Sequence, residues 1–135
     1  MALDLQVSVA VQNAMLDSIE STIGTGPILT IRTGAQPANC AAANSGTVLA
    51  TLTLPSDWMN AASANSKTLL GTWQDTSADA SGTAAHFRIH DSTGTTCHIQ
   101  GTVGTSGCDM NLDSVSFTAG QSFTITSFTL AAANS

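Results

Sequence analysis

The chain has 135 residues, enough for one domain that buries about two thirds of its extended surface and too few for two domains of ordinary size. Hydrophobic residues make up 42% and charged residues only 9%, against about 25% charged in an average soluble domain, so Thr, Ser, Asn, Gln, Ala and Gly must cover most of the surface. Nine acids against three bases (Arg32, Lys67 and Arg88) leave a net charge of −6, and three scattered cations build no phosphate-binding stripe, which argues against nucleic acid and anionic membrane surfaces as partners.

The mean hydropathy of +0.17 does not signal a membrane span, because no apolar run approaches the roughly 18 residues one needs. The opening Met1-Ala2-Leu3-Asp4-Leu5 carries an acid where a secretory signal has its basic region, so synthesis and retention in a cytoplasm are expected. So little charge suits a chain that spends its life in an assembly or outside a cell.

In chain order, residues 3–23 read as a helix. Leu5, Val9, Gln12, Leu16, Ile19 and Ile23 fall on one stripe, flanked by Val11 and Met15. Asp4 is a candidate cap, and Gly24-Thr25-Gly26-Pro27 ends the helix, since Gly takes the left-handed position and Pro cannot continue. Val7, Val9 and Val11 also alternate, so the first residues have an extended alternative. From residue 27 to 130 the pattern is β. Ile28–Arg32 is a strand with Leu29 and Ile31 inward. Residues 34–46 form a loop. Thr47–Leu54 alternates, with Val48, Ala50, Leu52 and Leu54 on one face. Trp58 and Met59 plug an irregular stretch at 56–66, Leu69, Leu70 and Trp73 mark a weaker strand, and residues 75–82 are a polar loop.

Residues 83–90 place Ala85, Phe87 and Ile89 on one face and His86, Arg88 and His90 on the other, as surface or interface groups. Turns are expected at 91–94, 103–107 and 119–121, with the middle one a hairpin. Phe123, Ile125, Phe128 and Leu130 finish the domain. Their spacing changes after Ile125, which predicts a bulge or an end of regular alternation. Residues 131–135 read as a loose tail. The fold class is therefore mainly β: a single domain, 1–135, forming a β-sandwich (jelly-roll-like in one version) of seven or eight short strands behind one N-terminal α-helix.

No nucleophile elbow, phosphate loop, dinucleotide fingerprint or zinc-protease motif is present. Gly101–Gly107 is glycine-rich but lacks the Lys and following helix of a phosphate loop. His86 and His90 lie about 13 Å apart along a strand, too far to share one metal without a bend; His98 on the next strand comes opposite one of them. Asp75 with Asp79, and Asp109 with Asp113, offer loop carboxylates for calcium, but such acids more often cap turns. Neither a metal, a cofactor, a catalytic residue nor a small-molecule substrate is assigned. A cleft gathering His86, His98 and Asp79 or Asp109 would signal an enzyme instead. Cys40, Cys97 and Cys108 read as protected thiols, with a Cys97–Cys108 bridge across the 103–107 turn as the alternative. Trp58 and Trp73 either seal the ends of the sandwich or, if exposed, stack on sugars.

Several segments carry a resemblance: Gln12-Asn13-Ala14-Met15-Leu16-Asp17, Ile23 through Pro37, Ser77 through Ile89, Gly101 through Gly107, Asp109-Met110-Asn111-Leu112, and Phe117 through Phe128. They resemble a family of small structural proteins encoded by tailed bacteriophages and prophages, over nearly the whole chain. The resemblance implies a virion component, foremost a capsid decoration (cement) protein assembled in the bacterial host cytoplasm, with the major capsid protein and copies of itself as partners. Neck, tail or fibre proteins with a receptor-binding role are the alternative within that class. A soluble sugar- or calcium-binding module is the alternative outside it. Cys97 and Cys108 depart from the small or aliphatic residues such proteins carry there. Interface positions are expected at Leu5, Val9 and Leu16, and at Trp58 and Trp73.

Overall fold

The computed structural model describes residues 5–132. Asp4, the expected cap, and the last three residues of the expected tail lie outside the described residues. Helix α1 spans Val9–Ile23, not 3–23, because Ser8 caps it: its side chain accepts a hydrogen bond from the Val11 amide at 3.2 Å. The other end falls at the expected glycine, in an extended conformation with ψ −166 and not the left-handed helical one. Gly24, at φ +90, donates its amide to the Glu20 carbonyl.

The rest is mainly β. The strands are β1 (Ile28–Arg32), β2 (Val48–Thr53), β3 (Ser66–Thr68), β4 (Trp73–Asp75), β5 (Gly82–Thr83), β6 (His86–His90), β7 (Cys97–Gly104), β8 (Met110–Asn111), β9 (Ser116–Phe117), β10 (Phe123–Ile125) and β11 (Thr129–Ala131). This exceeds the seven or eight expected because residues 83–90 divide at Ala84-Ala85, the segment from Phe123 to Leu130 divides into β10 and β11, and the short strands β3 and β8 form outside the expected ones; Leu69 makes only an isolated bridge to Met59. Regular alternation ends after Ile125, where β10 stops and β11 begins four residues later. Ala131, expected in the tail, pairs with Ser66, and the Ala132 amide reaches the Asn65 carbonyl at 3.0 Å.

Five strands form one sheet in the order β2-β1-β6-β7-β8, and three two-stranded ribbons, β4-β10, β3-β11 and β5-β9, complete a sandwich-like arrangement. Register divides the sheet into two faces. Leu29 lies between Leu52 and Ile89, and Ile31 between Ala50 and Phe87. All six are essentially inaccessible to solvent, and each large one contributes about 2 kcal/mol by burial. The ribbons bring Trp73, Phe123, Ile125 and Phe117 to the same core. Trp58, Trp73, Phe128 and Phe87 form a chain of ring contacts with centroids 6.0, 5.7 and 5.5 Å apart.

The pairing of β7 with β8 is parallel, Val103 with Met110 and Gly104 with Asn111, so 103–107 is not the hairpin turn its glycines suggested. The chain folds back over its own strand instead. The Asp109 carboxylate accepts from the Thr102 amide (2.9 Å) and hydroxyl (3.1 Å). Gly101 makes room for this: a Cβ there would stand 2.7 Å from the Phe87 ring and 2.9 Å from Asp109 Cβ.

Candidate functional site

Helix α1 presents two faces. Its inner face buries Gln12, Leu16 and Ile23 and uses three acceptors to dock on the 59–67 segment. Asn13 takes the Asn65 amide at 3.0 Å, Asp17 takes the Ala62 amide at 2.9 Å, and Glu20 takes the Met59 amide at 3.4 Å. Lys67, 1% exposed, reaches the same carboxylates, 2.8 Å from Asp17 and 2.9 Å from Glu20, and donates to the Asn60 carbonyl at 2.8 Å. Burial pulls the Lys67 pKa down, but its hydrogen bonds to Asp17 and Glu20 outweigh that and leave it above 10.5. The same hydrogen bond, with the Ala62 amide, holds Asp17 below its ordinary value. The outer face exposes Val11 (46%) and Met15 (54%); Val9 (52%), in line with the inner stripe but at the start of the helix, and Leu5 before it (78%) are exposed too.

The expected interface residues therefore separate. Leu5 and Val9 lie at the surface. Leu16 is buried within the chain, and Trp58 and Trp73 are wholly buried, so none of these three offers a surface. The two indoles touch each other instead of sealing opposite ends. Trp58 Nε1 donates to the Gly24 carbonyl at 3.0 Å, and Trp73 Nε1 to the carbonyls of Trp58 and Leu70, each at 3.2 Å. Rings so enclosed cannot stack on a sugar.

The second face of the large sheet is polar. Thr30 lies beside Arg88, Arg32 beside His86, Arg88 beside Gln100, and His90 beside Cys97. Alternation placed these side chains opposite the core, at the surface, yet His86, Arg88 and His90 are at most 4% exposed. The cover is the loop 33–47 between β1 and β2. Its ends are tied, the Thr33 amide to the Thr47 carbonyl and the Thr47 amide to the Thr33 hydroxyl. Gly46, at φ +72, is required there because a Cβ would collide with the Thr33 carbonyl. Arg88 then holds the loop down, donating to Asn44 Oδ1 (2.6 Å) and to the carbonyls of Asn39 (3.3 Å), Cys40 (3.0 Å) and Ala42 (3.1 Å). Gln100 Nε2 donates to the Pro37 carbonyl at 2.7 Å, and His86 Nδ1 lies 2.8 Å from the Gly34 carbonyl.

Among the described residues no carboxylate pairs with Arg32 or Arg88; the ion pairs found there all belong to Lys67. Burial, with these two guanidiniums, lowers the pKa of both His86 and His90, so the histidines sit neutral beneath the loop.

The three thiols are free and half-buried. The Cys97–Cys108 bridge does not form. Cys97 opens β7, whereas the Cys108 sulfur lies against Gly104 at the other end, a separation of about 23 Å at the usual strand rise. Cys97 faces Cys40 instead.

The remaining candidates are dispersed. Asp75 and Asp79 both bind Thr51 of β2, at its amide (2.9 Å) and hydroxyl (2.7 Å). Asp109 serves Thr102, and His98 faces Ile19 and Ile23 of α1. Asp91 shapes the 91–94 turn: the Thr93 hydroxyl and the Thr95 and Thr96 amides hold its pKa down to about 2. No group of three metal-ligating side chains comes together among the described residues.

The buried pairing of Lys67 and the covering of Arg88 were missed by sequence reasoning. The available signal was a lone cation in each of two otherwise uncharged strand segments, Ser66–Thr68 and His86–His90. Comparison of the chain with protein-family models, with curated proteins and with solved structures finds no match.

Proposed function

We propose that the chain is a non-enzymatic assembly protein of a tailed-bacteriophage virion: a capsid decoration protein that seats on the major capsid protein and on copies of itself, after synthesis in the host cytoplasm. The observation that carries this reading is the outer face of α1. Val11 and Met15 are half-exposed on a helix whose other face is already docked. Covering such a patch releases about 25 cal/mol per Å² of apolar surface. A chain with only 9% charged residues can meet a neighbour without stranding unpaired charges at the contact. The resemblance supplies the identity of the neighbour, and binding to a shell lattice stabilises the bound protein by linkage.

The experiment is quantitative mass spectrometry of purified particles, with the wild-type chain and with the double variant Val11→Asp, Met15→Asp. The wild type is expected at a copy number equal to the shell protein's or a simple fraction of it. The variant is expected to fold, since both positions face solvent, and to lose most of its occupancy. A handful of copies per particle would move the protein to the neck, tail or fibre. Absence from particles, or full occupancy by the variant, would sink the reading.

A further inference from the structure

We propose that Cys40 and Cys97 are a redox pair that closes into a disulfide on exposure to a small-molecule disulfide, pinning the loop 33–47 across the polar face of the sheet. The placement is built from both sides. Cys40 sits in the loop with its carbonyl held by Arg88 Nη2 at 3.0 Å. Cys97 begins β7, opposite His90 and two residues along β6 from that same arginine. Both cysteines line one groove of about 570 Å³ together with Asn44, Arg88, His90 and Thr96, and Cys40 is among the groups that raise the Cys97 pKa.

The surroundings favour exchange. The buried Arg88 guanidinium, which has no carboxylate partner among the described residues, acts on Cys97 and favours its thiolate. Burial, followed by the contact with Cys40, nevertheless pushes the Cys97 thiol up to about 11, so Cys97 is the poorer first nucleophile. The half-buried Cys40 attacks first. Its thiolate displaces one thiol from an external disulfide such as oxidised glutathione and forms a mixed disulfide. Cys97 then attacks the Cys40 sulfur, with Arg88 beside the developing thiolate, and expels the second thiol. One sulfur–sulfur bond forms inside the chain and one breaks outside it; the two cysteine hydrogens leave on the two small thiols, so electrons and protons balance. Cys108, at the far end of β7, takes no part. The inference does not depend on the assembly reading.

The test uses the full chain incubated with oxidised glutathione, alkylated without reduction and mapped by mass spectrometry. The expected product joins the Cys40 and Cys97 peptides with a loss of about 2 Da relative to the free pair, leaves Cys108 alkylated, and reverts with dithiothreitol. Cys108→Ser should form the same bridge and Cys40→Ser none. Amide exchange across 34–46 should slow several-fold in the oxidised protein. A bridge to Cys108, glutathione retained on Cys40 without closure, three free thiols, or an oxidised loop that exchanges as before would each overturn the proposal.

Discussion

His86 and His90 flank Arg88 on one strand and lie under a loop that leaves them neutral. Their folded-state pKa values are below the ordinary 6.5, burial being the largest cause and Arg32 and Arg88 adding to it. In the unfolded chain both histidines bind a proton as pH falls through 6.5; in the folded chain they resist until a lower pH. The unfolded state therefore holds more protons in that window, and stability drops as the solution is acidified. The urea midpoint is expected to fall on going from neutral pH to just below 6, well above the range in which Asp17 titrates. His90→Gln should flatten that dependence whatever it does to absolute stability. A midpoint constant across the window would show that the two rings are solvated. Alternation separated Phe87 and Ile89 from His86, Arg88 and His90 correctly at this scale. It could not reveal that the second face is also covered, because the covering residues, Asn39 to Asn44, carry no periodic signal; three backbone carbonyls and the Asn44 side-chain oxygen do the binding.

Among the elements, the return of residues 105–109 onto β7 depends on two positions where a side chain would intrude. Gly101 admits Asp109 and the Phe87 ring, and Gly104 admits the Cys108 sulfur. Gly101→Ala is expected to destabilise the fold by about 2 kcal/mol, the usual cost of overpacking a filled site, measurable by chemical denaturation. An unchanged midpoint would mean that the Asp109–Thr102 clasp is absent in solution. The elements themselves were largely legible. The helix end at Gly24, the strand at Ile28–Arg32 and the turn at 91–94 each rest on local chemistry that a sequence displays. The parallel return was not legible, because Gly-Thr-Ser-Gly is equally good hairpin chemistry and the deciding contacts, Asp109 to Thr102 and Phe87 to Gly101, join residues whose proximity only the fold creates. The helix start moved because Ser8 and Asp4 are both good cap types, and it is the Ser8 hydroxyl that takes the Val11 amide.

Across the whole molecule, long-range closure dominates. β3 pairs with β11, β4 with β10 and β1 with β6; Phe128 joins Trp73 to Phe87. Alternation and turn chemistry announced a β-rich chain, but the two indoles expected at interfaces are buried against each other, since isolated Trp residues in irregular segments look the same whether they face solvent or each other. The β3–β11 pairing carries a consequence for biosynthesis. On the ribosome, Trp58 and Trp73 emerge long before Phe123, Phe128 and Leu130, so the nascent chain must keep its largest rings uncovered until those residues have emerged. Such a chain closes only once β10 and β11 are available, not strand by strand. One ending at residue 122 is expected to show the red-shifted tryptophan emission of wetted indoles and to associate with chaperones, whereas native-like blue emission from it would mean that the amino-terminal part closes on its own.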